Sequence, residues 1–232
     1  FGTEAVAACD VVVGPGNRWV TAAKQLVAGH VGIDMLAGPS ELLVVADRHA
    51  RADLVAADLL AQAEHDPDAR VGLVALDEEL IEAVEVELSA QLAELATAEV
   101  ARASVQAHGF AVAVSDLDAA IAVSDRLAPE HLQLHLDDAS AAADRFQRYG
   151  AIFVGASSAE VAGDYGAGPN HTLPTGGTAR FRGGLGVLDF MAVRTWLELN
   201  GSAAGVYADA GKLADLERLD AHAKSARLRL KS

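Results

Sequence analysis

Short apolar runs separated by longer stretches of helical period constrain this chain more than any other feature. Asp10-Val11-Val12-Val13 breaks at Gly14-Pro15-Gly16-Asn17 and passes into a helical pattern through Val20, Ala23 and Leu26. Further strands are expected at 42–46, 71–75, 110–114, 132–136 and 151–154, and helices at 52–65, 78–96, 117–126 and 139–149. The first of these helices is stopped by Asp66-Pro67. Strands that alternate with helices build a parallel sheet, because each parallel connection needs a crossover that lays a helix on a face. The expected core is a doubly wound α/β layer.

After residue 163 the period fades. Glycines and prolines punctuate 163–186, and a segment that long with Tyr165, Leu173, Phe181 and Leu185 reads as a structured active-site wall rather than a disordered linker. A final amphipathic helix is expected at 212–224, with Leu213, Leu216 and Leu219 on one stripe, then an alternating Arg227-Leu228-Arg229-Leu230 run. The chain opens on Phe1 in what reads as the end of a helix, which suggests a piece of something longer.

Charge narrows the partners. Eighteen Lys and Arg stand against 33 Asp and Glu, a formal net charge of -15 that disfavours a nucleic-acid backbone or an anionic membrane. A small-molecule substrate or a protein partner is expected. No stretch approaches the roughly 20 apolar residues needed to span a bilayer. The single cysteine, Cys9, excludes an internal disulfide and fits a reducing compartment, so a cytoplasmic location is expected.

Several groups carry chemistry. Gln62 and His65 are three apart on a helix and so lie on neighbouring parts of one face, although a histidine at a helix C-terminus is stabilised by the dipole without any ligand. Asp164 heads the glycine-rich segment, where a turn residue is the plain alternative. Glu130 and His131 are adjacent, and neighbours in an extended segment point opposite ways, so a shared role needs irregular backbone. Glu217 and His222 stand five apart, about 140° round a regular helix, and can face one site only if the helix ends or bends between them. Asn17 follows a glycine turn that lacks the G-x-G-x-x-G fingerprint, since position 19 is Trp. Ser40 has a plain reading as a cap. His30, His49, His108 and His135 read as structural or solvated.

Taken in order, Gly14-Pro15-Gly16-Asn17, the run Gly32-Ile33-Asp34-Met35-Leu36-Ala37-Gly38-Pro39-Ser40-Glu41, Gln62-Ala63-Glu64-His65-Asp66, Ala128-Pro129-Glu130-His131-Leu132, the run from Gly163 to His171 and Ala179-Arg180-Phe181 resemble the histidinol dehydrogenases. The resemblance extends over essentially the whole chain. It implies incomplete, Rossmann-like parallel sheet domains with a helical C-terminal tail: 1–39 as the end of an NAD-contacting domain, 40–185 as a catalytic domain, and 186–232 as a dimerisation tail.

The resemblance also implies a chemistry: NAD-dependent oxidation of L-histidinol through L-histidinal to L-histidine, the last step of histidine biosynthesis. One Zn2+ per subunit would be held by residues matching Gln62, His65, Asp164 and His222. Zinc suits such donors and, being redox-inert, can orient a substrate without competing for electrons. His131 matches the base that takes the hydroxyl proton, and Glu130 the group that activates water for hydration of the aldehyde. Asn17 matches an NAD contact. Ser40, Gln62, His65, His131, Asp164, Glu217 and His222 match substrate-binding positions. His222 would reach the site of the neighbouring subunit, which makes a homodimer with a shared site. The upstream part of such proteins is absent here, so a companion N-terminal polypeptide is implied. Three alternatives stay open: a paralogue acting on another amino alcohol or diol, a zinc-dependent hydrolase, and an inactive truncated fragment.

Overall fold

A computed structural model describes residues 2–199 and 203–230. It divides into two compact units, one ending at Phe190 and the other beginning at Met191.

The first unit opens with a small motif. Strand β1 (Val11–Val12) pairs in parallel with β2 (Gly32–Ile33), and helix α1 (Arg18–Val27) connects them. Asn17 caps α1, its side-chain oxygen accepting from the backbone N–H of Trp19 and Val20. Behind the cap lies a buried ion pair, Lys24 Nζ to Asp34 Oδ1 at 2.7 Å. It grips Gly14 from both sides: Lys24 donates to the Gly14 carbonyl, and Asp34 Oδ2 accepts the Gly14 N–H at 2.8 Å. Gly14 itself has φ +123°, a conformation costly for any residue with a Cβ. The 14–17 turn is therefore shaped by groups remote in sequence.

The main sheet has five parallel strands in the order β5-β4-β3-β6-β7, with β3 (Glu41–Ala46), β4 (Arg70–Ala75), β5 (Phe110–Ala113), β6 (His131–His135) and β7 (Ala151–Val154). Alternation along β3 assigns its two faces. Leu42, Val44 and Ala46 pack with α2 (Ala52–Ala63), α3 (Glu78–Glu94) and α4 (Ala98–His108), whereas Leu43 and Val45 pack with Leu132, Leu134, Ala120 of α5 (Leu117–Leu127) and Ala142 of α6 (Ala139–Ala143). A strand buried on both faces reads as a continuous apolar run, and 42–46 does. The doubly wound parallel α/β layer expected from the sequence is present.

Several local expectations are corrected. Helix α4 was not foreseen, because its Ala98-Glu-Val-Ala-Arg-Ala-Ser run carries few large apolar residues to show a period; it packs through Ala101 and through Ser104, whose hydroxyl donates to the Ala69 carbonyl at 2.9 Å. The helix expected over 139–149 ends at Ala143, and Phe146 drops into the core from irregular backbone. The glycine-rich segment is not loop throughout: α7 (Val161–Asp164) overlaps its start and a 3-10 turn covers Thr178–Arg180. Residues 2–9 hold no helix; Phe1 lies outside the described residues.

The second unit holds α8 (Ala204–Leu216) and α9 (Asp220–Arg229) in place of the single helix expected over 212–224. Arg218 adopts a left-handed φ of 59°, which stops α8 and turns the chain. The helices meet through Gly211, Ala214, Ala223 and Ala226, small residues that allow close approach. The anticipated stripe of Leu213, Leu216 and Leu219 is exposed, and the Arg227–Leu230 alternation is helical through Arg229. Among the described residues no helix is long and apolar enough to cross a membrane.

Candidate active site

The candidate residues of the first unit gather at the amino-terminal edge of the main sheet, opposite the carboxyl edge where open α/β sheets usually bind ligands. His131 opens β6 and pairs with Leu42, so Glu130 and His131 flank the start of β3. Helices α2 and α5 end at this edge. Their C-terminal carbonyls give it a partial negative potential that favours a cation.

Irregular backbone at 128–130 resolves the conflict between adjacent Glu130 and His131. Ala128 takes a left-handed φ of 52° at the C-cap of α5, Pro129 follows, and β6 begins only at His131. Both side chains then close on one residue. Glu130 Oε2 accepts the Glu41 N–H at 2.9 Å, and His131 Nδ1 lies 3.0 Å from the Glu41 carbonyl. A carbonyl only accepts, so Nδ1 carries the proton and Nε2 keeps a lone pair. That lone pair is directed at an acidic group: Glu160 Oε1 is 3.8 Å from Nε2. Burial depresses the basicity of His131, opposed by the Glu41 carbonyl and by Asp164.

Burial acts oppositely on the carboxyls. Glu130 is pushed up to about 8, mainly by desolvation and further by Glu41, Glu160 and Asp164, against the Glu41 N–H that favours the carboxylate. Glu160 is raised to about 7 by burial, with Asp164 and Asp58 adding repulsion. Opposed pressures on an acid and a base in one place are the mark of acid/base sites. In the metal-free protein the folded state holds the Glu130 proton up to about 8 against 4.5 for the ordinary carboxyl, so stability falls as pH rises through that window. Glu130→Gln is expected to remove the Glu130 share of this fall and leave that of Glu160. Denaturant midpoints should show the variant gaining on the parent between about pH 5 and about pH 9; an unchanged gap at the two pH values contradicts the assignment.

Gln62 and His65 also meet. Gln62 is fully buried near the C-terminus of α2, its Nε2 3.4 Å from His65 Nδ1 across the helix end, while its Oε1 is buried with no hydrogen-bond partner. An orphaned buried carbonyl oxygen costs about 1–3 kcal/mol, and a cation would satisfy it. The Gln62 oxygen and the His65 imidazole are donors of the kind that zinc, manganese or cobalt accepts, and the half-buried Asp164 gathers with His131 and Glu160, its ligand-capable atom within 4.8 Å of theirs. Ser40 and His65 line one cavity of about 640 Å³ with Gly16, Asn17 and Arg18, so the capped turn opens toward the metal-capable residues. Asn17 Oδ1 is spent on capping; only its amide nitrogen is left to donate to a ligand.

Glu217 and His222 belong to the second unit. The helix does break between them, and both line one hollow of about 410 Å³ between α8 and α9, with Tyr207 and Arg229.

Two groups escaped sequence reasoning. Glu160 is buried, and its spacing of four from Asp164 was the available signal, obscured because 163–186 read as loop. Glu41 acts through its backbone, which no side-chain pattern reports; its own Oε1 accepts the Gly176 N–H at 3.2 Å and ties the glycine-rich segment to β3. His135, read as structural or solvated, is fully buried against Asp58 and Gln133. Gln133 Oε1 accepts the Glu160 N–H at 3.4 Å.

A family model described as histidinol dehydrogenase matches residues 1–230. The chain belongs to the histidinol dehydrogenase family. It is 50% identical over 230 residues to a histidinol dehydrogenase of Thermus thermophilus, covering 99% of this chain and 56% of that protein. It is 48% identical over 231 residues to one from Parasynechococcus marenigrum, with 99% and 53% covered. The crystal structure of histidinol dehydrogenase from Elizabethkingia anophelis superimposes with a TM-score of 0.92 at 38% identity, covering 100% of this chain and 54% of that one. The chain thus spans about half the length of the histidinol dehydrogenases it matches, in their C-terminal part.

Proposed function

We propose that this chain supplies the metal-binding and acid/base portion of an NAD-dependent oxidation of L-histidinol through L-histidinal to L-histidine. The observation that carries the reading is the Glu41 clamp, which fixes one tautomer of a buried imidazole and leaves Nε2 free beside metal-capable groups.

In this reading, Gln62, His65 and Asp164, with His222 of the partner subunit, hold one zinc ion. Zinc bound there would serve to orient the amine and imidazole of the substrate, and bound NAD would supply the hydride acceptor for the two oxidations. His131 Nε2 takes the hydroxyl proton of the alcohol while Nδ1–H stays on the Glu41 carbonyl, which also spreads the charge of the imidazolium. Glu130 then removes a proton from the water that adds to the aldehyde. Its raised affinity for protons makes it a stronger base than an ordinary carboxylate once ionised. Ser40 and Glu217 contact the substrate, and Asn17 donates to NAD. Residues 1–39 form the end of an NAD-contacting part, 40–185 the catalytic domain and 186–232 the dimerisation tail, in a cytoplasmic homodimer joined by an upstream polypeptide.

The test is an assay of this chain with the upstream segment supplied. Histidinol and NAD should yield two NADH per substrate. NADH from a different amino alcohol or diol but not from histidinol would move the reading to a paralogue, and turnover without NAD would move it to hydrolysis.

Sharing of the site has its own outcome. His131→Asn and His222→Ala are each expected to be inactive, and refolding them together should restore about a quarter of the active sites, since half the dimers are mixed and each holds one intact site. No recovery on mixing would place both residues in one subunit's site.

A further inference from the structure

Among the described residues, one group of side chains has its ligand-capable atoms within 4.8 Å of one another, namely His131, Glu160 and Asp164. It overlaps the proposed zinc set only at Asp164. We propose that these three residues form a divalent-cation site of their own, adjacent to the first and sharing the Asp164 carboxylate with it. The site rests on the placement of these residues; its effect on catalysis rests on the oxidation proposed above.

Three features point to a ligand rather than to an acidic cluster alone. Glu160 Oε1 is buried without a hydrogen-bond partner and lies 3.8 Å from His131 Nε2, beyond hydrogen-bond reach, so an ionised carboxylate and a ring lone pair face each other across the gap. That arrangement is repulsive when Glu160 is ionised, and a cation between the two atoms reverses the sign. The tautomer is also the one metal-bound histidines adopt. Nδ1–H donates to a backbone carbonyl, leaving Nε2 to coordinate, and this second contact is the usual orienting partner of a ligating imidazole. Glu160 is in turn oriented through its own N–H by Gln133 Oε1, and Gln133 Nε2 is held by Asp58 Oδ2 at 2.6 Å. Donors around a tetrahedral zinc sit about 3.4 Å apart at ordinary bond lengths, so small side-chain rotations bring these three to coordination distance and leave the fourth position open.

Occupancy has a consequence for the chemistry. A cation on Nε2 takes the lone pair that would accept the substrate's proton, so this second ion blocks the base that the first ion serves. Two adjacent ions bridged by a carboxylate about 3.5–4 Å apart are a familiar arrangement, and here the weaker one is inhibitory.

Equilibrium dialysis of the whole chain against increasing free zinc, with cobalt absorption to report imidazole ligation, tests the site. The parent is expected to take up a second, weaker ion after the first. Glu160→Gln and His131→Asn should each weaken that uptake by more than the roughly 10- to 100-fold that loss of an outer-shell partner costs, and should keep the first ion. His65→Ala should do the reverse. A single ion that survives His65→Ala but is lost with Glu160→Gln also supports this site, and tells against the Gln62–His65 set. A second ion retained in both Glu160→Gln and His131→Asn overturns the proposal. So does one ion lost equally in all three variants, or no uptake at all, with circular dichroism confirming the parental fold of each variant.

Discussion

His131→Asn is expected to lower oxidation of the alcohol by roughly 10²- to 10⁴-fold while the protein keeps its fold and its first metal ion. Asparagine is the informative replacement because its side-chain N–H₂ can take the place of Nδ1–H against the Glu41 carbonyl. The clamp on β3 is then preserved and only the lone pair at Nε2 is lost. Alanine would instead orphan a buried carbonyl, at a cost of about 1–3 kcal/mol, and mix a stability effect into the kinetics. The loss should fall on kcat, because the proton is taken in the transition state and not on binding. A variant with unchanged kcat, or one that loses the first ion in step with activity, would remove His131 from the role of base.

Glu130→Gln is expected to divide the two half-reactions. Reduction of the aldehyde by NADH should persist within about tenfold, whereas oxidation of the aldehyde should fall by roughly 10²-fold or more, since only that direction needs water activated by a carboxylate. Glutamine retains an oxygen for the Glu41 N–H, so the geometry of the clamp survives. The experiment is a pair of rate measurements with the aldehyde supplied directly, one with NAD and one with NADH. Equal damage to both directions would mean that Glu130 holds the site together and does not activate water.

These effects hinge on a structural device that the sequence only partly discloses. The main sheet was legible because β3, β4 and β6 are short apolar runs between helical stretches, and the double-sided burial of 42–46 makes that run continuous. Helix α4 was illegible for the converse reason, since alanines bury little and set no period. At the site, the separation of Gln62 from His65 reported a shared helix face, and the structure brings their side chains within 3.4 Å. For Glu130 and His131 the need for irregular backbone could be read but not how it is met, because that depends on Ala128 entering the left-handed region and on a backbone 89 residues upstream. Glu160 was hidden by glycine and proline in the segment after it, although a spacing of four to Asp164 was present. Glu217 and His222 looked incompatible on one helix, and the left-handed Arg218 between α8 and α9 turns both toward a single hollow.

The remote groups therefore matter more than the motifs that announce them. Lys24 and Asp34 set the turn before Asn17, Glu41 sets the tautomer of His131, and Gln133 sets Glu160. Each is a backbone or buried polar contact made across the fold, where an unmade hydrogen bond is costly and the geometry is correspondingly fixed.

The most direct test is an anomalous difference map, recorded at the zinc edge, from crystals of this chain supplied with one equivalent of zinc. A peak bonded to Gln62 Oε1 and the His65 ring, with Asp164 and His222 of the partner subunit completing its shell, is the predicted result. A map with zinc elsewhere and none between Gln62 and His65 would contradict the account.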